Sequence, residues 1–154
     1  MRRIPLGAGL IAPLLLVAAS PADFQRRLTP EEVSSLPVVA AGGGTSGLHT
    51  IETRLLKGDP ARPGLYTISI KVPPRTRIAA HMHRDDRTAA VIAGLWHFGY
   101  GSQAREDATR ALAPGSFYTE PAGDPHFAWT GPEGATVYIT GIGPSDTQYI
   151  GEPN

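Results

Sequence analysis

The chain of 154 residues contains no cysteine. That excludes disulfides, cysteine-ligated zinc, thiol catalysis and a lipidated N-terminal cysteine. An excess of charge of either sign is missing as well. Fourteen Lys and Arg balance fourteen Asp and Glu, and only 18% of residues are charged. Nothing in that balance points to a nucleic-acid partner or an anionic membrane surface. Internal repeats of the length that builds solenoids or propellers are absent. What is abundant is Gly, at 18 residues, and Pro, at 15, a composition that suits a turn-rich all-β domain. The length allows one domain with a real core and is short for two.

Residues 1–22 differ from the rest. Arg2 and Arg3 precede an apolar run from Ile4 to Ala19, and small residues follow at Ala18, Ala19, Ser20 and Ala22. Basic, apolar and small-residue zones in that order are the layout of a secretory signal, with cleavage after Ala19 or Ala22. The run is short for a bilayer and carries Pro5, Gly7, Gly9 and Pro13, so no stable membrane span is expected after cleavage. The mature protein is therefore expected to be periplasmic or secreted.

Residues 23–47 are expected to hold one short helix and a flexible connector. Thr29 is placed as the N-cap, Pro30 at the first helical position and Glu32 as the closing residue of a capping box, with Pro37 ending the helix. Ala40 to Gly47, AAGGGTSG, reads as the connector. Residues 48–154 read as strands: Leu48 to Lys57, Leu65 to Val72, Arg77 to His83, Thr88 to Gly101 as two short strands hinged at Gly94, Ser116 to Thr119, His126 to Trp129, Ala135 to Ile142, and an edge at Gln148 to Ile150. Gln103 to Ala111 reads as an edge hairpin or a loop. Many short strands separated by Pro and Gly turns predict a sandwich or barrel.

His81 and His83 are one residue apart, so on a strand both imidazoles point to the same face. A third, His126, follows the Pro-x-Gly turn in GSFYTEPAGDPH, residues 115–126. Three convergent imidazoles with few competing ligands suggest a first-row divalent metal site. His49 and His97 read as structural or surface histidines, with His97 also carried as a candidate for the pocket wall. The aromatic residues Trp96, Phe98, Tyr100, Phe117, Phe127 and Trp129 read chiefly as core and barrel-lining groups.

Gly115, Pro121, Gly123 and His126 stand at the spacings G-x5-P-x-G-x2-H. His81, His83 and Gly94 match the body of G-x5-H-x-H-x3,4-E-x6-G, with Pro74 or Arg75 where its opening glycine would be. In these two motifs, from about Leu65 to Ile142, the chain resembles the cupin superfamily. The resemblance implies a single RmlC-like jelly-roll β-barrel. Two positions depart from the pattern: Arg87 falls where the family has its glutamate ligand, and Thr130 replaces the final Asn of the longer second motif. A cation beside a dication is repulsive, so the expectation is that Arg87 turns out of the barrel or that the metal is lost. Asp85 and Asp86 are near enough in sequence to offer an oxygen.

The string EPAG-x-x-H is similar to that of cupins which hold iron with three histidines and no carboxylate, diketone-cleaving dioxygenases among them. By that resemblance His81, His83 and His126 would hold a divalent metal, Fe(II) first, with Zn, Mn or Ni as alternatives. Glu120 would orient a water or substrate as the catalytic carboxylate, or pair with Arg87 across the barrel mouth. Arg87, Tyr118 and His97 complete the expected substrate pocket. The implied activity is dioxygenation of a small chelating molecule such as a β-dicarbonyl or hydroxyketone. A non-catalytic module that binds a metal or small ligand is the alternative, and a metal-free sugar-type isomerase or epimerase a third. Cupin edge strands often pair between subunits, so the resemblance also implies a homodimer.

Overall fold

The computed structural model describes residues 25–151. The secretory-type segment assigned to residues 1–22 lies outside them. Helix α1 (Pro30–Ser35) is capped by Thr29, whose side chain accepts from the Glu32 amide while the Glu32 carboxylate accepts from the Thr29 amide. Eight strands follow: β1 (Glu52–Lys57), β2 (Gly64–Val72), β3 (Arg77–Met82), β4 (Arg87–Tyr100), β5 (Thr109–Leu112), β6 (Phe117–Glu120), β7 (His126–Gly143) and β8 (Gln148–Tyr149). Residues 103–108, left open between hairpin and loop, end in a short 3₁₀ turn at Glu106–Ala108.

All pairings are antiparallel, and two long strands organise them. β4 and β7 pair with each other from Arg87↔Gly141 to Tyr100↔His126. The first half of β4 is flanked by β6, and the C-terminal half of β7 by β2 and then β1. The second half of β4 is flanked by β5, and the N-terminal end of β7 by β3 and then β8. The one sheet therefore folds over into two layers, a rolled jelly-roll.

Two segments read as strand pairs are continuous. The segment read as two strands hinged at Gly94 is one strand, Arg87–Tyr100, and His126–Trp129 runs into Ala135–Ile142 within one strand of 18 residues, His126–Gly143. The bend is absorbed by register shifts at Val91/Ala93 and Gly94/Trp96, because each strand keeps the other as a partner throughout. Gly94 sits at φ 74°, where a Cβ would run into the carbonyl oxygen of Gly134. Only glycine combines that left-handed backbone with so close an approach. At the other end of the chain of strands, Leu48–Ile51 forms a turn rather than the start of β1, closed by the Ile51 amide on the Leu48 carbonyl at 3.1 Å.

Period-two alternation fills the space between the layers. Tyr66, Ile68, Ile70 and Val72 of β2 face Val137 and Ile139 of β7, Ala89 and Val91 of β4, and Trp96 and Phe98 farther along the same strand; all are buried. This apolar floor closes one part of the barrel and leaves the histidine end as its polar part. Replacing Gly94 with Ala is expected to lower unfolding stability by about 2 kcal/mol, from backbone strain plus the collision with Gly134. Urea denaturation checks it; a neutral or stabilising effect would mean the bend does not depend on this glycine.

Candidate metal centre

β3 and β7 put His81 directly opposite His126 in the ladder, so their side chains share one face of the sheet. His83 lies just past the end of β3, where its carbonyl accepts the Gly123 amide at 2.8 Å. That bond ties the Pro-x-Gly turn of the second motif to the first. The Asp86 carboxylate reinforces it by accepting the Ala122 amide at 2.9 Å. Gly123 has φ 76°, the conformation the turn needs before the chain can enter β7 at His126.

The three imidazoles are 6%, 2% and 1% exposed in chain order and present one nitrogen each within 4.8 Å of the others. Every Nδ1 faces a backbone carbonyl: His81 that of Ala79 at 2.8 Å, His83 that of Asp146 at 2.5 Å, His126 that of Asp124 at 3.1 Å. A carbonyl can only accept, so each ring is held with its proton on Nδ1 and the lone pair of Nε2 free. His83 Nε2 and His126 Nε2 are buried without a partner. Buried nitrogen lone pairs left unpaired are costly unless something fills them. The donor set therefore fits a divalent ion that takes imidazole, and carbonyl-anchored ligands of this kind are how protein metal sites fix ring orientation.

Burial pushes the His81 imidazole down to about 4, helped by its neighbour His126. Burial, then Arg87, pushes His83 down to about 3, and burial lowers His126 as well. At neutral pH all three are neutral, the form that binds metal.

Arg87 does not turn outward. It is 4% exposed and lies directly across the β4–β6 ladder from Glu120, itself 3% exposed. Its Nε and Nη donate to Glu120 Oε2 at 2.6 and 2.5 Å, and its other Nη donates to the Gly44 carbonyl at 3.0 Å. The cation is thus neutralised where it stands, and the predicted repulsion of a metal is met by pairing. Burial works to raise Glu120, but Arg87 and then the histidines outweigh it and hold the carboxyl at about 2. Its Oε2 lies 3.5 Å from His126 Nε2 and 3.8 Å from His83 Nε2. Glu120 is beside the histidines yet bound to the arginine.

The remaining candidates separate. Tyr118, two residues before Glu120 and on its face of β6, is buried at the chamber wall with its hydroxyl unpartnered. His97 is not in the chamber: it stacks on Trp129 at 3.6 Å, on the face of β4 opposite Trp96 and Phe98, because alternation sends it the other way. His49 is exposed. Asp86 is exposed and holds the turn, whereas Asp85 is buried and receives Tyr66 Oη at 2.8 Å and Ser145 Oγ at 2.5 Å. Burial pushes the Tyr66 hydroxyl up to about 12, so it stays a donor. That cluster anchors the 144–147 loop whose Asp146 carbonyl holds His83.

Sequence reasoning missed one part of the chamber. The connector is an ordered strap: Thr45 is buried, and Gly44, Thr45 and Ser46 line the chamber mouth. Thr147 and Tyr149 donate their hydroxyls to the Thr45 and Ser46 carbonyls, adding to the bond from Arg87 to Gly44. A glycine run carries no signal of its tertiary partners. Trp96, read as a core or barrel-lining ring, does line the chamber, and its indole Nε1 has no hydrogen-bond partner there, whereas a buried Trp normally finds one. With the strap in place the chamber holds about 30 Å³.

No family model matches the sequence. Comparison with curated proteins likewise finds no match. Solved structures do match. The polyketide cyclase RemF from Streptomyces resistomycificus is 19% identical with TM-score 0.61, over 82% of this chain and 85% of that one. A sugar phosphate isomerase of the cupin superfamily from Silicibacter pomeroyi is 15% identical with TM-score 0.59, over 82% and 83%. An RmlC-like cupin from Shewanella frigidimarina is 17% identical with TM-score 0.55, over 71% and 85%. The chain has the cupin fold, with a three-histidine group that could hold a metal.

Two outcomes are expected of the metal-free protein. The folded histidines sit below their ordinary 6.5, so the unfolded chain takes up protons first as pH falls. Stability should be full above about pH 6.5 and decline toward pH 4, with Glu120 adding to the loss below its ordinary 4.5. Urea midpoints at pH 7.5 and 5.0 in the presence of chelator test this; an equal or higher midpoint at pH 5.0 contradicts it. The ion pair gives the second. Arg87→Met alone strands a buried carboxylate and should cost about 3 kcal/mol, while Arg87→Met/Glu120→Leu should recover most of that. Additive losses in the double variant would show that the pair does not act as a unit.

Proposed function

We propose that this cupin is a metal-dependent oxidoreductase of the dioxygenase type, with His81, His83 and His126 holding an Fe(II) ion and a small chelating oxygen compound as substrate. The observation that carries the reading is the set of free, neutral, carbonyl-anchored imidazoles around one buried point. Three neutral protein ligands leave coordination positions open for small molecules. Bound there, Fe(II) would supply redox chemistry and Lewis acidity toward a chelating substrate.

The chain's own groups set what else happens. Glu120, held at about 2 by Arg87, is a poor proton acceptor at neutral pH. Burial and the nearby Glu120 keep the Tyr118 hydroxyl protonated far into the alkaline range. The metal-free isomerase or epimerase alternative would ask these residues for a base poised near neutrality, which neither provides. Glu120 serves instead to orient a water or substrate oxygen by hydrogen bonding while Arg87 fixes its position. Ile70, Ile78, Phe98, Ala128 and Ile139 line the chamber and keep it poor in water.

A second reading has one specific observation behind it. The strap closes the chamber to about 30 Å³, which suits a module that retains a metal or very small ligand without turnover. Export, proposed from residues 1–22, applies to either reading, and among the described residues no helix is long and apolar enough to cross a membrane. Fractionation of the expressing cell tests it: uncleaved full-length chain confined to the cytoplasm would contradict export. A homodimer through strand edges remains part of the proposal, and sedimentation tests it.

The test is elemental analysis of tag-free protein beside His81→Ala/His126→Ala, followed by oxygen uptake on β-dicarbonyls and hydroxyketones. Near-stoichiometric iron, lost in the variant together with substrate-dependent uptake, is expected. Stoichiometric metal with no uptake on any of these compounds would favour the binding module. Uptake that survives in the metal-free variant would overturn the metal centre.

A further inference from the structure

Four buried polar atoms among the described residues lack a hydrogen-bond partner: His83 Nε2, His126 Nε2, Trp96 Nε1 and Tyr118 Oη. A metal accounts for the first two. It does not account for the others, since an indole N–H is donor only and carries no lone pair for a cation. Trp96 is 2% and Tyr118 6% exposed, they come from adjacent strands β4 and β6, and both line the chamber that holds the histidines. The Trp96 indole and the Glu120 carboxylate lie beside the Tyr118 hydroxyl but outside hydrogen-bond geometry, so the two donors stand next to each other with neither satisfied.

We propose that Trp96 Nε1–H and Tyr118 Oη–H form an acceptor-binding subsite that takes a carboxylate or carbonyl oxygen of the substrate. Resting on the metal reading above, the subsite narrows the substrate to a short carboxylate-bearing chelator. The charge count supports an anion. Arg87 and Glu120 cancel each other, the three imidazoles keep Nδ1 on backbone carbonyls and offer only Nε2 lone pairs, and a divalent ion therefore keeps its charge uncompensated by protein. Around it stand apolar side chains and two donors, a setting in which an anion is favoured and a cation is not. The size of the chamber, about 30 Å³, keeps the buried part of the ligand to a few heavy atoms.

Zinc-loaded protein in a Trp129→Phe background, where Trp96 is the sole tryptophan, allows a test without turnover. Oxalate and ethylenediamine are the probes. Both chelate zinc, but oxalate keeps two further oxygens free, whereas ethylenediamine offers no acceptor oxygen. Trp96 emission is expected to change with oxalate and little with ethylenediamine. Trp96→Phe and Tyr118→Phe, each made in the same background and read by calorimetry, are each expected to weaken oxalate about tenfold and leave ethylenediamine within about twofold, consistent with loss of a charge-assisted hydrogen bond. Using each variant's oxalate-to-ethylenediamine ratio cancels the difference in their intrinsic affinities for zinc. Tyr118→Phe removes a single oxygen and guards against a folding defect from the tryptophan change.

Zinc content measured after each titration separates the two ways of failing. Protein that never loads zinc overturns the metal reading, and this subsite with it. Protein that keeps zinc while both variants leave the ratio unchanged overturns the subsite alone, and shows that water satisfies Trp96 and Tyr118.

Discussion

The buried ion pair between Arg87 and Glu120 is the constraint on which the rest of the site depends. Neither charge could stay in this interior alone, and each makes the other's position tenable. The pair spans the β4–β6 ladder, so it closes one wall of the barrel. Its third contact, to the Gly44 carbonyl, pulls the N-terminal strap across the mouth. It also decides what Glu120 can do. A carboxylate 3.5 to 3.8 Å from two histidines would compete for a metal or a proton if it were free; tied to Arg87, it can only accept hydrogen bonds. The departure from the family motif at residue 87 is therefore balanced by a residue of the second motif, and the three histidines keep a neutral environment.

Around that pair, the backbone does the positioning. Carbonyls of Ala79, Asp124 and Asp146 choose the tautomer of each imidazole, and each belongs to a segment fastened elsewhere. Asp146 is the clearest case. Its loop is held by Ser145 on the buried Asp85, which Tyr66 also binds, so the second layer of contacts reaches from the core of β2 to a metal ligand. Ring orientation that is set before binding lowers the cost of binding.

How much of this was legible in the sequence varies by residue, for physical reasons. The all-β class and the face shared by His81 and His83 follow from period-two alternation, which is a local property. The pairing of Glu120 with Arg87 was legible as an alternative from opposite charge alone. The continuity of β4 and β7 was not legible, because it is maintained by partners distant in sequence, from Tyr100↔His126 to Arg87↔Gly141, that hold the ladder through a bend. His97 shows the cost of reading type without phase: one position from Trp96 and Phe98, it faces the other way and stacks on Trp129. The strap is the plainest gap. Gly42 to Gly47 has the composition of a linker, yet hydroxyls from Thr147 and Tyr149, a hundred residues distant, order it.

The account turns on three neutral imidazoles that carry their protons on Nδ1 and offer Nε2 to one ion. The most direct measurement is the histidine ring ¹⁵N spectrum of the metal-free protein at pH 7, with His81, His83 and His126 assigned by single substitution. Three neutral Nδ1–H rings, whose Nε2 signals all shift on addition of one equivalent of zinc, are what the structure predicts. Imidazolium rings at pH 7, Nε2–H tautomers, or Nε2 signals that zinc leaves unmoved would contradict it.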